Sequence, residues 1–179
     1  MTRSMITLLG ATSLLVALAN GARAVEDPRP PDVADAPSGA PKTFVAEAAQ
    51  GGLAEVELGE LAQQKASSAA VKSFAGQMVA DHGKANAELA QLAKQEDVEM
   101  PKQLDAKHQA LRDRLAKLSG AEFDRAYMKE MVHDHEKDVA EFSQAAKSAT
   151  DPQVKEFASK TLPTLEGHLR MAKEVEKSL

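Results

Sequence analysis

At 179 residues the chain has room for one domain with a core of its own, plus appendages. Hydrophobic residues are 43% of it but aromatics only 3%, with no Trp and one Tyr. Such a core is built of Ala, Leu, Val and Met, which suits packed helices and excludes a β-sandwich or an aromatic platform for stacking bases. The formal charge of −5, with both signs interspersed and no basic block, argues against nucleic acid as a partner.

The first segment, residues 1–24, reads as a cleavable signal peptide. Arg3 supplies the positive start, Met5–Ala19 ("MITLLGATSLLVALA") the apolar run, and Ala22-Arg23-Ala24 the cleavage site, with the cut expected after Ala24. The run is short for a membrane span, and an uncleaved membrane anchor is the alternative. The expected destination is the periplasm or the exterior, with no membrane span left after cleavage. The chain has no Cys for lipid attachment or for disulfides, so packing alone must hold the domain together. Residues 25–42, "VEDPRPPDVADAPSGAPK", hold five of the eight prolines and read as a disordered Pro-rich linker.

Residues 43–179 read as helical throughout. Four main helices are expected over about Phe44–Lys65, Ala69–Gln95, Ala121–Ser148 and Pro152–Lys177, with a shorter one over about Lys102–Leu118 between the second and third. Pro101 is expected to open the short helix. Ser119-Gly-Ala-Glu122 has the form of a capping box, and Asp151-Pro152 places an N-cap before a proline at the first helical position. Pro163, lacking an amide, is expected to kink the last helix and free the carbonyl of Ser159.

Two internal similarities set the architecture. "MVADHGK" (Met78–Lys84) recurs as "MVHDHEK" (Met131–Lys137), and "AVKSFA" (Ala70–Ala75) recurs as "QVKEFA" (Gln153–Ala158). The chain therefore reads as two related helical hairpins joined by a long crossover, the ferritin-like variety of all-α four-helix bundle. A short-loop bundle with the middle helix packed outside is the alternative.

A helix advances about 100° per residue, so the direction of each polar group can be read. On the second helix His82 falls in the stripe Val71, Phe74, Met78, Ala85, Leu89, Leu92. On the third, His135 continues Phe123, Tyr127, Met131, Val139, Phe142. On the last, His168 sits among Val154, Phe157, Thr161, Leu165, Ala172 and Val175. The first helix is less clear, but Glu55 lies opposite the polar side Gln50, Glu57, Glu60, Gln64. In an antiparallel hairpin, level residues have numbers symmetric about the turn. Glu55 pairs in this way with His82, and His135 with His168, each within about a turn of level at ~1.5 Å rise per residue.

Three neutral imidazoles and a carboxylate around one divalent ion would satisfy four groups that are otherwise costly to bury. His82, His135, His168 and Glu55 are thus the candidate metal ligands, with Asp81 and Asp134 as carboxylates that orient the rings. The three imidazoles are then expected within about 5 Å of one another, around a centre at ~2.0–2.1 Å from each ligand. Met78, Met131 and Met171, each a turn from a histidine, could favour copper, or simply fill gaps. The metal-free alternative is a buried His–Glu–Asp network that fixes helix register.

Other signals are set aside. In Glu130-Met-Val-His133, His133 points about 200° from His135 and so faces water. His108 continues Leu104, Leu111, Leu115 as a packing residue. No Gly-rich phosphate loop, nucleophile elbow or Cys–His pair is present.

The stretches "FVAEAAQGGLAEVELGELA" (Phe44–Ala62), "VKSFAGQMVADH" (Val71–His82), "LSGAEFDRAYM" with "MVHDHEK" (Leu118–Lys137), and "FASKTLPTLEGHL" (Phe157–Leu169) carry a resemblance. They resemble the bacterial exported family known as domain of unknown function 4142, grouped with the ferritin-like superfamily. The resemblance implies a ferritin-like bundle and the family's histidine positions, here His82, His135 and His168, but no activity. The positions three before these histidines are Val79, Val132 and Leu165, so the two E-x-x-H motifs of a di-iron site are missing. One zinc or copper ion fits better than an iron pair. The expected role is metal handling or envelope stress rather than turnover, with a metal-free envelope module as the alternative. An envelope protein or a second copy of the chain are the partner classes left open.

Overall fold

The computed structural model describes residues 40–179. The signal peptide, its cleavage site and most of the Pro-rich linker lie outside the described residues. Five helices follow one another: α1 (Ala40–Lys65), α2 (Ala69–Gln95), α3 (Ala106–Ala116), α4 (Gly120–Ser148) and α5 (Pro152–Lys177). Among the described residues there is no strand.

Three-residue connections fold α1 onto α2 and α4 onto α5 as tight hairpins. The hairpins meet where α2 packs on α5 and, less closely, where α1 faces α4. The long connection from Glu96 to Ser119 carries α3, which rests on α1 and α4. Two hairpins joined by one long crossover is the topology expected from the repeats.

Local chemistry explains most of the helix ends. Ser68 caps α2 by accepting the Val71 amide. At its other end Asp97 takes φ 54 and the Val98 amide donates to the Ala93 carbonyl at 2.8 Å, a Schellman-type closure with Asp in place of Gly. Asp151 accepts the amides of Gln153 (2.8 Å) and Val154 (2.9 Å), and Pro152 opens α5 as expected. The helix then runs through Pro163.

Three ends depart from the sequence reading. α1 begins at Ala40, because Pro41 falls in the first turn, where no amide is needed. Pro101 does not open α3: Asp105 does, accepting the His108 amide at 2.9 Å, and residues 96–105 stay non-helical. Ser119 makes no side-chain cap bond, so the expected capping box does not form. Gly120 enters α4 at φ 59, and this left-handed step breaks the regular first turn a capping box requires.

The two hairpins are tied at one end of the bundle. Asp124, buried in the first turns of α4, accepts the backbone amides of Ser67 (3.0 Å) and Ser68 (2.9 Å) and the Ser67 hydroxyl (2.5 Å). Close by, the Lys65 ammonium donates to the Ala116 carbonyl at the end of α3 (2.8 Å). The α1–α2 turn is thereby fixed against the start of α4.

The apolar core falls into two clusters. One gathers Leu58, Phe74, Met78, Leu115, Phe123, Tyr127, Met131 and Ala172. The other gathers Val45, Ala49, Leu89, Leu92, Phe142, Val154, Phe157 and Leu165. On each main helix one buried polar residue falls between the members of the two clusters: Glu55 on α1, His82 on α2, His135 on α4 and His168 on α5. The bundle thus carries a polar layer between two apolar ones.

Candidate metal centre

The polar layer follows from helical spacing. Each of its residues lies three or four positions from a core residue on the same face: Leu58 after Glu55, Met78 before His82, Met131 before His135, Leu165 and Ala172 around His168. Tertiary packing then buries them, leaving Glu55 3%, His82 7%, His135 0% and His168 2% exposed.

The three imidazoles converge. Ring centroids are 5.7 Å apart for His82 and His135, 5.3 Å for His82 and His168, and 5.4 Å for His135 and His168. One nitrogen from each lies within 4.8 Å of the others, as the sequence-based estimate required. A tetrahedral ion at ~2.0–2.1 Å would draw such atoms to roughly 3.4 Å, a contraction of about 1–1.5 Å at most.

Hydrogen bonding assigns the protons. His135 Nδ1 lies 2.8 Å from the Met131 carbonyl, which can only accept, so Nδ1 carries the proton. His168 Nε2 lies 2.9 Å from Asp81 Oδ2 and donates to it. Burial opposes the charge on Asp81, but hydrogen bonds from Gln77 (2.6 Å) and His168 outweigh it and hold the carboxyl below its ordinary range. That leaves His135 Nε2 and His168 Nδ1 as lone-pair nitrogens. Both are buried without a hydrogen-bond partner among the described residues, and so is His82 Nε2.

Electrostatics keeps the trio neutral. Burial, then the neighbouring His135 and His168, push the pKa of His82 down to about 3. Burial likewise takes His135 to about 4, and His168 is lowered for the same reason. Neutral imidazole is the form that binds a metal.

The remaining predicted residues divide. Glu55 stands outside the trio: its Oε1 is 3.9 Å from His135 Nδ1, and its Oε2 has no partner among the described residues. Burial, then the charges of Asp138 and Asp134, raise its carboxyl well above the usual range. Asp81 accepts the hydrogen bond from His168 Nε2. Asp134 instead lies among Glu130, Lys107, His133 and His108, and the orienting group for His135 is the Met131 carbonyl. His133 is exposed. Met78 and Met131 belong to the apolar cluster beside the layer, and Met171 packs against it.

Sequence reasoning passed over Gln77, which steadies Asp81 from one turn away, although its i−4 spacing was visible. It also passed over the Met131 carbonyl, which no side-chain pattern reports. The Tyr127 hydroxyl, fully buried and without a partner among the described residues, was read only as core. Burial and then the charge of Glu55 raise its pKa. A cavity of about 360 Å³ reaches the layer, with Glu55 and His82 in its wall.

Comparison with known proteins agrees with the fold. The chain is similar to the crystal structure of a DUF305 fragment from Deinococcus radiodurans, with TM-score 0.68 and 16% identity over 80% of this chain and 97% of that one. It is also similar to a putative secreted DUF305 protein from Streptomyces coelicolor, with TM-score 0.64 and 12% identity over 75% of this chain and 89% of that one. Among curated proteins none matches. Residues 27–175 match the family described as "Domain of unknown function (DUF4142)", and the chain belongs to that family.

Proposed function

We propose that the protein is exported and binds one transition-metal ion through His82, His135 and His168, in the service of metal handling or envelope stress. The observation that carries this reading is a trio of buried, neutral histidines that brings one ring nitrogen from each within 4.8 Å of the others, while each keeps a ring nitrogen without a hydrogen-bond partner among the described residues. A buried polar atom without a partner loses about 1–3 kcal/mol, and an ion would satisfy all three at once. Three imidazoles leave a fourth position, which water would take, or Glu55 after a change of rotamer, and the donor set suits zinc or copper rather than an iron pair. Export is supported by the signal-peptide pattern and by the secreted structural neighbour, and no helix among the described residues is long and apolar enough to cross a membrane. Metal analysis of protein purified without a His tag should find close to one ion per chain, and zinc or copper should raise its Tm. No bound metal and an unchanged Tm would remove this reading.

A second reading, a metal-free envelope module, is favoured by the bonds from His135 to Met131 and from His168 to Asp81, which a register-fixing network would also contain. It predicts the same Tm with and without metal.

A further inference from the structure

The trio is enclosed by apolar layers on both sides, so an ion needs a way in. The cavity of about 360 Å³ offers one, lined mostly by α1 and α4, with residues of α2, α5 and the start of α3 completing its wall. Its inner wall includes His82 and Glu55, both more than nine-tenths buried, whose Nε2 and Oε2 have no hydrogen-bond partner among the described residues. Its outer wall carries Glu47, Asp138 and Glu141, of which Glu47 is exposed and Glu141 half-open to solvent. Gly51 lies one helical turn before Glu55 and also lines the cavity. A Cβ there would meet nothing within 4 Å, so the α1 wall is hollow at that point. Lys137 already sits among the outer carboxylates, its Nζ 2.9 Å from Glu141 Oε1, with Asp138 and Glu47 in electrostatic reach.

We infer that this cavity is the entry path for a hydrated divalent transition-metal cation, collected by Glu47, Asp138 and Glu141 and passed to His82 and Glu55. Lys137, and Lys107 within electrostatic reach of Asp138, are built-in cations that compete for the same carboxylates. The inference rests on the metal reading above and adds the route. Six carboxyl groups line the cavity against two lysines, Lys107 and Lys137, and a cleft with such an excess of one sign between low-dielectric walls concentrates the opposite ion and raises its on-rate. The volume holds on the order of ten waters, so an ion can enter with its shell and exchange it at the inner wall.

Cobalt(II) uptake, followed by its visible absorbance in a stopped-flow mixer, tests the route separately from the site. In the full chain, Gly51→Leu fills the passage and should slow uptake roughly tenfold, while equilibrium affinity stays near the wild-type value. Lys137→Met is an exposed change with little risk to folding. It should speed uptake several-fold at low salt, with the wild-type rate falling as ionic strength rises. Gly51→Ala, too short to block, should behave as wild type. Wild-type uptake rates in both Gly51→Leu and Lys137→Met, or a rate indifferent to salt, would overturn the route while leaving the trio intact. Failure of the wild type to bind any cobalt(II), zinc or copper at equilibrium would overturn the trio, and the route with it.

Discussion

Asp81 on α2 and His168 on α5 meet across the two hairpins, Oδ2 to Nε2 at 2.9 Å, and this contact decides which nitrogen of His168 is left free. A carboxylate that fixes a ligand's tautomer and ring orientation is typically worth 10–100-fold in metal affinity. Asp81→Ala should therefore weaken zinc binding by roughly that factor. Competition against a chromophoric chelator measures it. An affinity equal to wild type would show that His168 needs no orienting partner.

Replacing a trio member by an apolar ring separates the metal reading from the metal-free one. In the apoprotein His82 has a buried nitrogen without a partner among the described residues, and removing such a group in favour of a similar shape is close to neutral. His82→Phe should keep the apoprotein Tm within a few degrees of wild type and abolish the rise produced by zinc. Retention of the full zinc-induced rise in this variant would take His82 out of the site.

The apoprotein's response to acid has two opposing parts. Unfolded histidines take up protons near pH 6.5, but folded His82 and His135 resist until about 3 and about 4. The unfolded state binds more protons in that window, so stability falls as pH drops from about 7 toward 4. Burial raises folded Asp138 to about 7, and Glu55 and Asp134 are raised too. For these carboxyls the folded state binds its proton first, so the same drop in pH adds stability. Asp138→Asn removes one of the compensating groups. Its stability should exceed wild type at pH 8 by on the order of 2 kcal/mol, and should fall about 1 kcal/mol per pH unit more steeply toward acid. Urea unfolding between pH 5 and 8 gives both curves, and parallel curves would mean that Asp138 titrates normally.

What could be read in advance followed from periodicity. The inward faces of His82, His135 and His168 were legible because each continues an i, i+4 stripe, and level pairs within a hairpin were legible because the loops are short. The height of one hairpin against the other was not. It depends on a crossover with no repeating pattern and on the Asp124 contacts with Ser67 and Ser68, which join residues more than fifty positions apart. The misplaced ends have equally specific causes. Ser119-x-x-Glu122 has the letters of a capping box, but Gly120 permits a left-handed entry that the letters do not reveal. Pro101 competes with Asp105 for the start of α3, and a carboxylate that accepts the His108 amide wins. Glu55 faces inward as its spacing demands, yet a rotamer of a few ångströms decides whether it is a ligand or a wall.

Asp124 is the point where hairpin height becomes a testable energy. It is buried, and it satisfies two backbone amides of the α1–α2 turn and one hydroxyl. Asp124→Ala would remove three hydrogen bonds to a buried carboxylate, from donors on exposed Ser67 and half-buried Ser68 that water can partly satisfy, a loss worth about 2–4 kcal/mol together. Ser67→Ala removes only the hydroxyl partner and should lower stability by about 1 kcal/mol. Denaturant unfolding of the two variants checks the order. Because this tie helps fix how the two hairpins stand, Asp124→Ala should also weaken zinc binding, although α4 places His135 three helical turns beyond it. A destabilisation by Asp124→Ala no larger than that of Ser67→Ala would mean that packing of the two apolar clusters, not this contact, sets the height at which the imidazoles meet.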